Sequence, residues 1–171
     1  VVAARLEQGF VTEDGTDVDG FISFSLSVQN RRKSRMGHSL ENHLEAVFCA
    51  LNIAHVRGAI TEHRHKPDFL FPDLDTYSAA PAEGDVRLTM LGAKSTCKDR
   101  WRQVLAEAAK IPRKHLLTLE PGISIGQTDQ MEASNLQLVV PVSIQGSYTE
   151  VQQNWLWSLR DFISDVDGRL S

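Results

Sequence analysis

The stretch Leu91-Gly-Ala-Lys-Ser-Thr-Cys-Lys-Asp-Arg-Trp-Arg102 joins an apolar strand pattern to a helical pattern. Residues 88–95 are mostly apolar or small, which predicts a buried strand that ends close to Lys94. Residues 97–110 repeat apolar side chains at helical spacing, which predicts a helix directly after that strand. Because a strand followed by a helix is the unit from which α/β folds are built, this stretch decides the fold class.

The segments on either side extend this unit into a sheet with helices on both faces. Short apolar runs of strand length flank the central strand, and amphipathic helical patterns separate them. Ser39 can cap the first helix, which is predicted to run to about Ile53. The order of the segments predicts an α/β fold with a mixed central sheet flanked by helices. The remaining predicted strands are 68–71, 114–120 and 137–144, and the remaining predicted helices are 128–134 and 155–166.

The chain length of 171 residues predicts a single domain, residues 1–171, in which residues 1–20 form an N-terminal segment. The chain begins Val1-Val2 without an initiator methionine, and we interpret it as a piece of a longer protein. No apolar stretch is long enough to cross a bilayer, and no signal peptide is visible. Cys49 and Cys97 are too few for a disulfide framework, which favours a reducing cytoplasm.

The charged residues are distributed unevenly along the chain. A net charge of -4 argues weakly against nucleic-acid binding, but the distribution of the charges matters more than their sum. A single basic block is more often an ordinary solvated surface, whereas three blocks around one candidate site favour DNA binding. The three blocks are Arg31, Arg32, Lys33 and Arg35; Lys94, Lys98, Arg100 and Arg102; and Lys110, Arg113 and Lys114.

Two carboxylates and a lysine occupy positions that suit phosphodiester hydrolysis. Asp68 follows Pro67 at the start of one predicted strand, Lys94 ends the next, and Glu107 lies on the helix that follows. Carboxylates can hold Mg²⁺, which activates water and neutralises phosphoryl charge, and a nearby lysine assists both tasks. Each feature alone is more often structural, but the joint arrangement is specific. Glu41 lies at the border of an apolar helical stripe, where its carboxylate can point into a cleft.

These residues resemble the PD-(D/E)xK nuclease superfamily and, more closely, the C-terminal catalytic domains of EcoRII-type restriction endonucleases. The acidic residue usually found two positions before the lysine is replaced here by Gly92. One clade of the superfamily carries this carboxylate on the following helix, which Glu107 matches. The resemblance covers about residues 20 to 165 and rests on the motifs at 30–45, 66–72, 91–103 and 114–124.

The resemblance implies a restriction-endonuclease-like fold and Mg²⁺-dependent cleavage of double-stranded DNA at CCWGG, where W is A or T. It implies that Asp68 and Glu107 bind the metal, that Lys94 serves the attacking water and that Glu41 completes the acidic cluster. It also implies a homodimer on DNA, an N-terminal effector-binding domain outside this chain, and a bacterial or archaeal cytoplasm.

In this family the segment after the catalytic lysine reads consecutive C·G pairs, which assigns base reading to Lys98, Asp99 and Arg100. The chemistry agrees, because Lys and Arg donate to guanine O6 and N7 and a carboxylate accepts from cytosine N4. The same three residues would also suit a solvated helix start. The arginines and lysine at 31, 32, 33 and 35 are expected to hold phosphates along the DNA backbone.

Two alternative functions remain open at this point. The absent carboxylate at Gly92 supports a sequence-specific DNA-binding module without cleavage. A structure-directed nuclease of the same fold is the other, and the predicted base-reading segment argues against it. Tyr77 is expected to be a structural residue or a DNA contact rather than a covalent nucleophile, because a metal site is predicted nearby.

Overall fold

The computed structural model describes residues 11–12, 15–16, 18–98 and 100–170, and the side chains of 18–21 and of five further positions in the first helix are not among those described. Asp99, which was predicted to read bases, lies outside the described residues, as does the side chain of Lys33. The chain forms two compact units with the boundary between Ser39 and Leu40.

The first unit contains a small hairpin and the beginning of a long helix. Strand β1, Val11–Thr12, pairs antiparallel with strand β2, Gly15–Thr16. Helix α1 spans Val18–Ala50, so Ser39 lies inside the helix and the prediction that it caps the helix was wrong. The apolar stripe begins only at Leu40, but the turns before it contain no proline and several arginines, which favour helix without any periodic apolar pattern.

The second unit is built on a five-stranded mixed sheet in the order β3-β4-β5-β6-β7. Strands β3 and β4 and strands β4 and β5 are antiparallel, whereas β5, β6 and β7 run parallel. The mixed central sheet that the sequence predicted is therefore confirmed. The strands are Val56–Arg57 (β3), Phe69–Phe71 (β4), Thr89–Lys94 (β5), Lys114–Thr118 (β6) and Leu136–Val139 (β7).

Helices cover both faces of this sheet. On one face Leu70 and Leu116 pack with Trp101 and Met131, and on the other Phe69 and Leu117 pack with residues of α1 and the C-terminal helix. Successive strand residues point to opposite faces, so strands buried on both sides read as continuous apolar runs. The helices after α1 are Leu74–Ala79 (α2), Trp101–Leu105 (α3), Ile125–Ala133 (α4), Val142–Gln145 (α5), Glu150–Trp155 (α6) and Leu159–Leu170 (α7).

Several predicted elements have different limits in the structure, among them the helix predicted over 128–134, which spans Ile125–Ala133. The strand predicted over 137–144 ends at Val139, because Pro141 has no N–H for a sheet hydrogen bond and a short helix follows it. The helix predicted over 155–166 is interrupted by Trp157, which forms a bridge beside Val139. The helix predicted over 97–110 is reduced to α3, and Ala108 adopts a positive φ of 48° beyond its end.

Among the described residues, no helix combines the length and the apolar character needed to cross a membrane.

Candidate active site

Asp68 and Lys94 meet where two neighbouring antiparallel strands bring them together. Asp68 immediately precedes β4, and Lys94 is the last residue of β5. The Nζ atom of Lys94 lies 2.7 Å from Oδ2 of Asp68, and the main-chain N–H of Ala93 donates to the same oxygen at 2.7 Å. The side chains are 18% and 14% exposed, so the pair lies at an accessible but largely enclosed position. The sequence predicted this meeting from the two strand ends.

Glu107 lies beside this pair, although it is not on a helix. It follows the last residue of α3 by two positions and is only 8% exposed, and its Oε2 atom has no hydrogen-bond partner. Burial raises the pKa of Glu107 to about 7; the charge of Lys94 opposes the shift and that of Asp68 adds to it. A buried carboxylate without a partner is costly, and such groups concentrate at functional sites.

Gly92 allows α3 to pack closely on strand β5. A Cβ atom at Gly92 would lie 3.1 and 3.3 Å from the two methyl groups of Val104 on α3 and 3.5 Å from Leu116 Cδ1. The helix therefore packs directly on the main chain of β5, in the space that a side chain at this position would need. This close packing brings the segment that follows α3, with Glu107, towards the end of β5.

Asp68 and Glu107 are the residues that could hold a divalent cation. Carboxylate oxygens are the preferred ligands of Mg²⁺, and a cation would satisfy the unpartnered Oε2 of Glu107. Within residues 18–98 and 100–170, no three carboxylate, imidazole or thiol side chains gather at the spacing of a metal site. A cation here would thus have two protein carboxylates and take its remaining ligands from water and substrate.

Glu41, which was expected to complete the acidic cluster, is paired with an arginine. Its Oε2 atom lies 2.7 Å from Nη2 of Arg57, and the same guanidinium bonds Glu45 Oε2 at 2.8 Å and Asn42 Oδ1 at 2.7 Å. The structure therefore brings Asp68, Lys94 and Glu107 together and places Glu41 with Arg57 instead.

The segment predicted to read bases follows Lys94 between β5 and α3. The side chains of Lys98 and Arg100 are exposed, and Arg100 Nη2 donates to the carbonyl of Thr96 at 3.1 Å. Glu120 anchors the start of the segment, because its Oε2 accepts from the main-chain N–H groups of Cys97 at 2.7 Å and Lys98 at 3.0 Å. Two cationic side chains are thus presented beyond the strand end that carries Lys94.

The first basic block lies on α1, in the first unit. Arg31, Arg32 and Arg35 are exposed, and Arg31 Nη2 donates to Ser27 Oγ at 3.2 Å. Their exposure suits contact with phosphates but does not by itself distinguish them from an ordinary solvated helix surface.

The third basic block is less exposed than the first and makes hydrogen bonds within the protein. Lys110 Nζ donates to the carbonyls of Tyr77, Ser78 and Ala80 at 2.8 to 3.1 Å. Arg113 Nη2 donates to Gln137 Oε1 at 2.8 Å. Hydrogen bonds within the protein therefore hold the side chains of this block.

Tyr77 is buried, with 3% of its surface exposed. Its hydroxyl donates to Glu62 Oε2 at 2.5 Å and accepts from the main-chain N–H of Lys110 at 3.3 Å. Burial, together with the hydrogen bond to Glu62, raises the pKa of Tyr77 well above its usual value. Of the two expected roles, the geometry supports the structural one.

Sequence reasoning missed Arg57, Lys114 and Glu120. Arg57 lies on a two-residue strand, which is too short to show any periodicity. Lys114 was counted as part of a basic block, although a lysine that opens the apolar run His115 to Leu117 could have indicated an inward-facing ammonium. Glu120 precedes Pro121-Gly122, a pattern that predicts a surface turn and gives no sign of hydrogen bonds to the segment after Lys94.

Comparison with known families gives a match to the model described as EcoRII C terminal over residues 1–163. The type II restriction enzyme EcoRII of Escherichia coli is 47% identical over 154 residues. The alignment includes 88% of this chain but only 37% of the EcoRII enzyme, so the chain spans little more than a third of that relative.

Two solved structures of the restriction enzyme Ecl18kI share the fold. Metal-depleted Ecl18kI in complex with uncleaved, modified DNA superimposes with a TM-score of 0.72 at 20% identity, covering 85% of this chain and 49% of the other. Metal-depleted Ecl18kI with uncleaved DNA gives a TM-score of 0.71 at 23% identity and the same coverage. These matches confirm the predicted restriction-endonuclease-like fold.

Proposed function

This chain belongs to the EcoRII C-terminal family, and from that premise we propose that it is the catalytic domain of a type II restriction endonuclease that cleaves double-stranded DNA. The observation that carries the proposal is the Asp68–Lys94 pair beside the buried carboxylate of Glu107, whose Oε2 atom has no hydrogen-bond partner. A DNA-binding module without cleavage would have no use for this costly arrangement.

Asp68 and Glu107 hold Mg²⁺ in this proposal, and the bound ion supplies charge stabilisation at the scissile phosphate. Lys94 lies close enough to Asp68 to donate to a water or phosphate oxygen beside it, which orients the attacking water and offsets developing negative charge. The hydrogen bond from the main-chain N–H of Ala93 keeps the Asp68 carboxylate in place. Glu41 would complete the acidic cluster, and in this structure its Oε2 atom is paired with Arg57.

The target is proposed to be CCWGG in duplex DNA. Lys98 and Arg100 are exposed and able to donate to guanine edges, and Asp99 completes the segment as an acceptor for cytosine. Arg31, Arg32, Lys33 and Arg35 hold phosphates. A site that reads nearly the same on both strands favours a homodimer on DNA. The chain matches 37% of the EcoRII relative, and the proposed effector-binding domain corresponds to another part of that relative.

The deciding experiment compares two plasmids that differ only in their CCWGG sites, with and without Mg²⁺. We expect cleavage at the mapped sites only when Mg²⁺ is present, and no cleavage of the plasmid that lacks these sites. The Asp68→Asn variant should bind the cognate DNA without cutting it. Specific binding without cleavage by the wild-type chain would indicate the DNA-binding module. Cleavage of branched DNA that lacks CCWGG would indicate a structure-directed nuclease.

A further inference from the structure

The residues from 107 to 110, called here the 107–110 segment, carry Glu107 on a main chain that is neither helix nor strand. Ala108 has a φ of 48°, in the left-handed region that costs energy for any residue with a side chain. Such a conformation persists only where the surroundings hold it in place. The contacts that hold this segment therefore bear on the position of Glu107.

Lys114 supplies the strongest of these contacts. It is the first residue of β6 and is 5% exposed. Its Nζ atom donates to the carbonyl oxygen of Glu107 at 2.5 Å and to that of Ala108 at 2.7 Å. Burying an ammonium is costly unless hydrogen bonds compensate for it, and here both of these bonds go to the main chain that carries the carboxylate.

Side chains from other parts of the second unit accept hydrogen bonds from the main-chain N–H groups of the 107–110 segment. Ala108 donates to Thr61 Oγ1 at 3.4 Å, and Ala109 donates to Glu62 Oε2 at 3.3 Å. The next N–H, that of Lys110, donates to the hydroxyl of Tyr77. The main chain is thus fixed on both its carbonyl and its amide side, whereas Oε2 of the Glu107 carboxylate has no partner.

We propose that Lys114 is a positioning residue for the Glu107 carboxylate: its ammonium holds the Glu107–Ala108 main chain so that the carboxylate stays beside Asp68 and Lys94 before a metal ion binds. This inference rests on the proposed function, because it takes Glu107 as a metal ligand. Groups that orient a ligand without touching the metal commonly change metal affinity by about 10- to 100-fold when they are removed.

Lys110 provides a matched control. It is also a lysine whose Nζ donates to main-chain carbonyls, but those carbonyls belong to Tyr77, Ser78 and Ala80 rather than to Glu107. Lys114→Met and Lys110→Met each remove an ammonium and leave carbonyls without a donor. If the lysines only stabilise the fold, neither substitution should lower Mn²⁺ affinity more than the other. If Lys114 positions Glu107, only Lys114→Met should lower it.

The measurement is the affinity of Mn²⁺ for the protein bound to a cognate duplex with a non-hydrolysable phosphate, at pH 7.5, between the pKa of Glu107 at about 7 and that of Lys114 at about 8. Lys114→Met should weaken Mn²⁺ binding by about tenfold, and Lys110→Met should stay within about twofold of wild type. Loss of the Lys114 charge has two opposite electrostatic effects: it removes repulsion of the cation, and it favours protonation of Glu107, whose pKa the Lys114 charge lowers. The comparison is therefore repeated at pH 6.5, because a loss caused by protonation shrinks as the pH rises to 7.5 and a loss of positioning does not.

Wild-type Mn²⁺ affinity in Lys114→Met, or an equal loss in Lys110→Met, would overturn the inference. If Lys114→Met does not fold, Lys114→Gln takes its place, because the shorter amide keeps a donor but reaches less far. An affinity at least about threefold below wild type supports the positioning role in that variant, and an unchanged affinity overturns it. Asp68→Asn and Glu107→Gln complete the set: wild-type Mn²⁺ affinity in both would refute the proposed metal site itself, whatever Lys114 does.

Discussion

At the scale of single residues, the burial of Glu107, a candidate metal ligand, lowers the free energy of unfolding at neutral pH. Its carboxyl is buried and its pKa is raised to about 7 from an ordinary value of 4.5. The folded state therefore holds the proton more tightly than the unfolded state does, and this contribution to stability is complete below pH 4.5. It is lost as the pH rises from about 4.5 to 7, where the folded protein must ionise a buried group.

Glu107→Gln should consequently stabilise the metal-free protein at pH 7.5 by about 1–3 kcal/mol, because the amide resembles the protonated carboxyl and carries no charge. The gain should nearly vanish below about pH 4.5. Denaturant unfolding of both proteins across this range measures it. An equal difference at both ends of the range would show that ionisation is not the cause. Measurements should stop below pH 8, since burial lowers the pKa of Lys114 to about 8 and its effect has the opposite sign.

Lys94→Ala should lower cleavage by at least about a hundredfold and leave cognate binding nearly intact. The ammonium stabilises charge that develops in the transition state, and interactions of that kind reduce the rate far more than the ground-state affinity when they are lost. Cleavage of a labelled duplex and its equilibrium binding, measured in parallel, separate the two quantities. Near-normal turnover in Mg²⁺ would rule out Lys94 as the catalytic lysine.

At the scale of elements, the strands that build the site could be predicted and the segment carrying Glu107 could not. Strands β4, β5 and β6 lie within their predicted ranges, because short runs with apolar centres mark them in the sequence. The predicted helix over 97–110 ends instead at Leu105. Side chains at Thr61, Tyr77 and Lys114 bond the main chain beyond it, and local spacing carries no information about such distant partners.

The packing of α3 on Gly92 gives a prediction at this scale. Gly92→Ala should destabilise the protein by about 1–3 kcal/mol and weaken cleavage, because the added methyl would push on Val104 and displace the helix that leads to Glu107. Gly168→Ala is the control: it adds the same methyl inside α7, where nothing lies within 4 Å, and should stabilise by up to about 1 kcal/mol. Unfolding and cleavage assays on both variants test this, and a neutral Gly92→Ala would contradict the close packing.

At the scale of the whole molecule, the proposed DNA partner must be reconciled with a net charge of -4. In the third basic block Lys114 is buried, and Lys110 and Arg113 are half-buried and donate to carbonyl and amide oxygens of the protein. Exposed cations are found on α1 in the first unit and, in the second unit, after Lys94. They have different expected roles, because phosphate contacts provide affinity for any sequence and base contacts provide discrimination.

Arg100→Ala and Arg32→Ala separate these roles. Arg100→Ala should weaken binding to CCWGG by about 1–3 kcal/mol and leave a scrambled duplex nearly unaffected, since a bidentate contact to guanine is lost. Arg32→Ala should weaken both duplexes alike and reduce the slope of log affinity against log salt by about one unit, since one phosphate contact is lost. Titrations of both duplexes over a range of salt concentrations distinguish the outcomes. An equal loss on both duplexes for Arg100→Ala would mean that Arg100 holds phosphate, and base reading would then fall to Lys98 and Asp99, the two other charged side chains between Lys94 and α3.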